Sequence, residues 1–126
     1  MAKILVLDDE SQWLELVRDK LLAMGHEVRT TADCLDALRQ IEADLPDLAI
    51  IDLRMPVSGS TMLRAMREDW PELPVVMHTV YSGYRDAPSL NGIAGFAVKN
   101  PELTELIKVV ENVLAQKQRC AETSST

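Results

Sequence analysis

Four short polar signals in this chain carry side chains able to do chemistry together: Asp8-Asp9-Glu10, the isolated Asp52, the pair His78-Thr79, and Lys99. Each follows directly on an apolar run of strand length, Ile4–Leu7, Leu48–Ile51, Val75–Met77 and Phe96–Val98. Carboxylates brought close together repel and raise one another's pKa values, and a hard divalent cation with oxygen ligands relieves that repulsion. Magnesium suits a site of two carboxylates completed by water. An aspartate beside such a cation can act as a nucleophile toward a phosphoryl group and form an acyl phosphate. A hydroxyl at Thr79 and an ammonium at Lys99 supply the donor and the positive charge for the remaining phosphoryl oxygens. Any one of these residues alone reads most simply as a cap or turn residue. Four of them ending four strands of one chain is the informative pattern.

The elements that must position them follow from periodicity. Lys3–Leu7 reads as a buried strand. Ser11 then caps a helix carrying Trp13, Leu14, Val17, Leu21 and Met24, which Gly25 stops. Glu27–Thr30 is a second strand, and Asp33 caps a helix through Leu35, Leu38 and Ile41. Leu48–Asp52 is the third strand, and a helix opened by Ser58 or Gly59 places Met62, Leu63 and Met66 inward. Pro74–Thr79 is the fourth strand, and a short fifth lies within Ile93–Val98. Pro101 is expected in the first turn of a last helix with Leu103, Leu106, Ile107, Val110 and Leu114 on one face.

Strand–helix alternation of this kind predicts an α/β domain, a parallel sheet covered on both faces. The 126 residues favour an open doubly wound sheet over a closed barrel of about 250. In such sheets ligands bind at the carboxyl ends of the strands, where all four polar signals fall. Residues 1–116 are expected to form one domain and 117–126 a disordered tail or the start of a linker.

Composition narrows the function. Thirteen basic against twenty acidic residues give a net charge of −7, and an acidic surface repels phosphates, so direct nucleic-acid binding is not expected. No apolar run is long enough to cross a bilayer, and Asp8 interrupts the first one too early for a signal peptide, so a cytoplasmic protein is expected. Cys34 and Cys120 lack metal-type spacing and read as reduced thiols.

At these residues the sequence resembles the receiver domain of two-component response regulators, the family of the chemotaxis switch protein. Ile4-Leu5-Val6-Leu7-Asp8-Asp9-Glu10 resembles the family's acid-pair strand, and Asp52-Leu53-Arg54-Met55-Pro56-Val57-Ser58-Gly59 its phosphoacceptor motif, D-x-x-M-P-x-x-G. Met77-His78-Thr79 resembles the switch strand, and Phe96-Ala97-Val98-Lys99 the aromatic-x-x-Lys strand. The resemblance covers roughly residues 2–115. It implies a flavodoxin-like five-stranded sheet of order 2-1-3-4-5. It also implies a signalling switch that takes phosphate from a histidine kinase or phosphotransfer protein onto Asp52, catalyses that transfer itself, and slowly loses the group again. Carried over residue by residue, it makes Asp9, Asp52 and the backbone carbonyl of Arg54 direct ligands of Mg2+, with Asp8 acting through a bound water. Thr79 and Lys99 would hold phosphoryl oxygens, and Phe96 would take the place of the aromatic switch residue.

The chain departs from the pattern in three places. Asn100 follows the lysine where the family has proline, which moves to 101. Phe96 lacks the hydroxyl of the commoner tyrosine. The span between Thr79 and Lys99 is about two residues short and carries Gly83, Pro88 and Gly92, so its fourth helix is expected to be shortened or irregular, since proline costs ~3 kcal/mol in a helix interior. These changes all touch the reporting face and motivate an alternative, a receiver-fold interaction domain whose output is independent of phosphorylation. Enzyme readings fare worse. Arg54 stands where an aspartyl phosphatase needs a second acid, and Asp-Asp-Glu stands where a nucleotide-binding fold needs glycines.

Single residues read as follows. His78 alternates away from Thr79 into the helical layer, and Trp13 is placed to line the acid pocket from the first helical turn. His26, after Gly25, reads as solvated. Tyr81 and Tyr84 are candidate substitutes for the missing switch hydroxyl, or plain loop aromatics.

Overall fold

The computed structural model describes residues 2–52, 59–80 and 93–124. In chain order its elements are β1 (Lys3–Leu7), α1 (Ser11–Ala23), β2 (Glu27–Thr31), α2 (Cys34–Ala43), β3 (Leu48–Ile51), α3 (Gly59–Asp69), β4 (Val75–Thr79), β5 (Gly95–Val98) and α4 (Thr104–Ser124). All strand pairs are parallel, in the order β2-β1-β3-β4-β5. This is the flavodoxin-like doubly wound sheet that the family resemblance implies. The shortened fourth helix expected over 82–92, together with Tyr81 and Tyr84, lies outside the described residues.

Strand side chains alternate between two cores, as a pleated sheet covered on both faces requires. Ile4, Val6, Ile50, Val76 and Ala97 face one way, against Val17 and Leu21 of α1 and Leu106 and Val110 of α4. Leu5, Leu7, Ala49, Ile51, Met77 and Phe96 face the other way, against Ala37 and Ile41 of α2 and Leu63 and Met66 of α3. Gly95 is where α4 closes on β5, and a Cβ there would run into the Val109 side chain.

Local chemistry explains most boundaries. Gly25 ends α1 with a positive φ of 93°, a conformation cheap only for glycine, and its N–H returns to the Leu22 carbonyl. The Asp33 carboxylate accepts from the Leu35 N–H at 3.1 Å and caps α2 as expected. Ser11 is the first residue of α1 and not its cap. Glu10 takes that position, its own N–H donating to the Asp8 carboxylate at 3.0 Å.

One further expectation is corrected. Pro101 lies in a turn before α4, not in its first helical turn, because Leu103 takes a left-handed φ of 57° and the helix starts only at Thr104. Such a φ costs a branched residue about 1–2 kcal/mol, and here the Leu103 side chain is buried between sheet and helix. The Lys99–Asn100 bond is trans. α4 runs on through residues 117–124 to Ser124, and the Lys117 ammonium donates to the Asp47 carbonyl at 3.1 Å.

Candidate phosphoacceptor site

The strand ladders continue one step past β1, β3 and β5 and so fix where the polar residues leave the sheet. The Asp8 N–H donates to the Thr31 carbonyl, the Asp52 N–H to the Leu7 carbonyl, and the Lys99 N–H to the Thr79 carbonyl, at 3.2, 3.1 and 2.7 Å. Three backbone positions from three strands are thereby pinned at one edge.

Their side chains meet. The Lys99 ammonium lies 2.6 Å from the Asp8 carboxylate and 2.8 Å from that of Asp52, with all three side chains at most 4% exposed. Carboxylate oxygens of Asp8, Asp9 and Asp52 lie within 4.8 Å of one another, and Asp9 is the exposed member. Burial pushes the Asp8 carboxyl above its ordinary range, although the hydrogen bond from Lys99 pulls it back part of the way. Burial opposes the charge on Lys99 too, but hydrogen bonds to Asp52 and then Asp8 win, and its pKa is raised. One ammonium thus serves two buried carboxylates, with a third carboxylate at the mouth. The cluster still holds an excess of negative charge, and a hard cation entering from the Asp9 side fits both that charge and the all-oxygen donor set.

The other expected site residues are placed as follows. Thr79 is fully buried at the end of β4. Phe96 is buried on the α2/α3 side of the sheet, packed with Met77. Arg54, whose carbonyl was expected to ligate the metal, lies outside the described residues. Trp13 does line the pocket: the Lys99 ammonium is 5.2 Å from its ring centroid. His78 turns into the α1/α4 layer as strand alternation requires, and meets Trp13 edge to face at 5.7 Å. His26 is half-buried instead of solvated, its Nδ1 accepting from the Ala2 N–H at 3.1 Å. Sequence reasoning missed Glu105. Its carboxylate accepts from the Val98 N–H at 2.8 Å and ties the first turn of α4 to β5 next to Lys99. A glutamate in the first helical turn is so common that spacing alone carried no signal of this.

Comparison with known proteins agrees with this geometry. The model of the response regulator receiver domain matches residues 4–111. The chain belongs to the receiver domain family. Transcriptional regulatory protein PrrA of Mycobacterium tuberculosis is 32% identical over 126 residues, which cover 98% of this receiver chain and 54% of PrrA. The chain thus spans about half the length of that relative. Among solved structures, response regulator protein TrrA from Thermotoga maritima, in complex with Mg(2+)-BeF, superposes with a TM-score of 0.84 at 31% identity. That match covers 90% of this receiver and 99% of TrrA. NtrX from Brucella abortus superposes with a TM-score of 0.90 at 32% identity, covering 98% of this receiver and 29% of NtrX.

Proposed function

We propose that this receiver domain is switched by transfer of a phosphoryl group onto Asp52. The observation that carries the reading is the buried Asp52 carboxylate, 2.8 Å from the Lys99 ammonium, in a cluster that Asp9 opens to solvent. An Asp52 oxygen attacks the phosphorus of a histidine kinase, phosphotransfer protein or small phosphodonor. The bond from phosphorus to the donor breaks as the new oxygen–phosphorus bond forms. Lys99 is already seated at Asp52 and follows the charge onto the phosphoryl oxygens, and the Thr79 hydroxyl donates to another of them. Asp9, Asp52 and the Arg54 carbonyl would hold Mg2+, with Asp8 acting through water, and the ion would supply positive charge that offsets the carboxylates as an anion arrives. Water later hydrolyses the acyl phosphate and returns Asp52 to its carboxylate, so the chain catalyses its own phosphorylation and slow dephosphorylation.

Related proteins support the partner and the metal. TrrA has been crystallised with Mg(2+)-BeF and, separately, with the histidine kinase ThkA. Phe96 takes the part of the aromatic switch residue, by packing alone because it has no hydroxyl. No direct nucleic-acid contact is assigned to this acidic domain, and any output by a longer protein is left to segments beyond it. Among the described residues no helix is long and apolar enough to cross a membrane, and a cytoplasmic location fits a kinase partner.

Magnesium with beryllofluoride, a phosphoryl mimic, tests the reading against an interaction domain that ignores phosphorylation. Calorimetry is expected to show beryllofluoride binding that requires Mg2+ and disappears in Asp52→Asn. Absence of binding to the unsubstituted protein would favour the phosphorylation-independent alternative.

A further inference from the structure

His78 is 2% exposed, and its Nε2 has no hydrogen-bond partner among the described residues. A buried polar nitrogen without a partner costs about what a lost hydrogen bond costs, so packing alone is a poor reason for histidine here. Its ring meets Trp13 at 87°, edge to face, and Trp13 in turn lies under the Lys99 ammonium. The three groups come from β4, α1 and the end of β5, and form one contiguous stack that ends on the two buried carboxylates.

We propose that Trp13 and His78 are positioning residues for Lys99, acting on its ammonium from α1 and β4. The indole face attracts the ammonium through its quadrupole, and a half-buried ring beside a desolvated ammonium, 1% exposed, does so more strongly than a ring beside a hydrated one. Trp13 therefore gives Lys99 a seat that does not depend on Asp8 or Asp52. That independence matters when either carboxylate is engaged by a cation or by a phosphoryl group. Lys99 then keeps its place beside Asp52 instead of withdrawing along its flexible stem. His78 fixes the tilt of the indole, since an edge-to-face pair holds one ring angle against the alternatives. Neither residue touches the phosphoryl group. Both act through the ammonium, and they set how fast Asp52 is labelled.

This inference rests on the phosphoryl-transfer reading, and its test separates the two. Initial rates of labelling by acetyl phosphate with Mg2+ are compared for the unsubstituted protein, Trp13→Leu, Trp13→Phe, His78→Leu and Lys99→Met, and for Trp13→Leu combined with Lys99→Met. Trp13→Leu is expected to slow labelling roughly 3- to 10-fold, the range a desolvated cation–aromatic contact gives. Trp13→Phe is expected to restore most of the rate, and His78→Leu to fall between. In the Lys99→Met background the Trp13→Leu change is expected to alter the rate less than about twofold, because positioning residues lose their effect with the group they position. An equal factor in both backgrounds, or no loss in Trp13→Leu, overturns the inference and leaves phosphorylation of Asp52 standing. A second readout does not depend on phosphorylation. In Trp70→Phe protein the Trp13 indole N–H resonance is expected to shift on Lys99→Met and on His78→Phe, and its indifference to either change overturns the inference even if no phosphoryl group is ever transferred.

Discussion

The two ends of the sheet use the same residue types to opposite effect. At the amino-terminal edge Lys117 meets Asp47 at 3.4 Å and Lys3 meets Asp44 at 3.3 Å, with side chains 40–51% exposed. At the carboxyl-terminal edge Lys99 meets Asp8 and Asp52 at 2.6 and 2.8 Å with side chains at most 4% exposed. Water solvates the first group and screens it, so each pair is worth about 0–1 kcal/mol. The second group has lost its water, and each charge depends on the others. Direction of pKa shift follows. Asp47 is held below the usual carboxylate range, first by the Lys3 N–H at 2.8 Å and against a smaller effect of burial. Asp8 is pushed above that range, because burial dominates. A carboxylate made uncomfortable by burial, with a single ammonium shared between two such groups, is primed to take a cation and an anionic group together. A carboxylate comfortable in water is not.

Removing the shared cation should break the contrast most visibly. In metal-free buffer Lys99→Met removes the ammonium that two buried carboxylates share and is expected to lower unfolding stability by about 3–5 kcal/mol. Millimolar Mg2+ should restore part of it, as measured by urea titration with and without the metal. A variant as stable as the unsubstituted protein would mean that the ammonium is not the main compensating charge.

The next effect comes from His78, which is held down to about 4, first by burial and then by the Lys99 charge, with Asp52 and Glu105 pulling the other way. For a base whose folded pKa is depressed, stability is present above the unfolded value of 6.5 and is lost as pH falls through about 4. Asp8 works in the opposite sense, its raised folded pKa favouring the folded state as it takes up a proton. The His78 share is therefore read as a difference. Between pH 7 and 4 the unsubstituted protein should lose about 3 kcal/mol relative to His78→Phe. Parallel pH profiles for the two proteins would show that His78 titrates as it does in the unfolded chain.

Smaller again is the effect at the mouth of the cluster. Asp9→Ala should weaken Mg2+ binding about tenfold or more in calorimetry, with little change in unfolding stability without metal, because Asp9 is already exposed. Unchanged affinity would remove Asp9 from the ligand set. At the amino-terminal edge Lys117→Ala should change stability by no more than about 0.5 kcal/mol. A loss as large as that in Lys99→Met would erase the distinction between the two ends.

How much of this was legible in the sequence varied with the range of the interaction involved. The strands were visible to within a residue or two, the central ones because they are compact apolar runs buried on both faces, as in Leu48–Ile51. Asp33 as a cap and Gly25 as a stop were local and correctly read. Asp8, Asp9, Asp52 and Lys99 were expected to meet because strand ends in a parallel sheet fall at one edge by topology alone, and the structure brings them into one cluster. The turn at Leu103 was not legible, since a branched residue in a left-handed conformation is held by burial under α4, which is tertiary. Nor was the helical course of residues 117–124, where α4 continues past its contact with Asp47. Strand alternation gave the direction of His78, whereas its seat on Trp13 needed β4 and α1 in register. The phosphoacceptor loop around Arg54 and the span 81–92 lie outside the described residues.

The most direct test of Asp52 as the switch is intact mass after incubation with acetyl phosphate and Mg2+. Unsubstituted protein is expected to gain the mass of one phosphoryl group, to lose it slowly once the donor is removed, and to gain nothing without the metal. Asp52→Asn is expected to gain nothing under any of these conditions. Equal labelling of Asp52→Asn and unsubstituted protein would place the phosphoryl group elsewhere and contradict the assignment of this cluster.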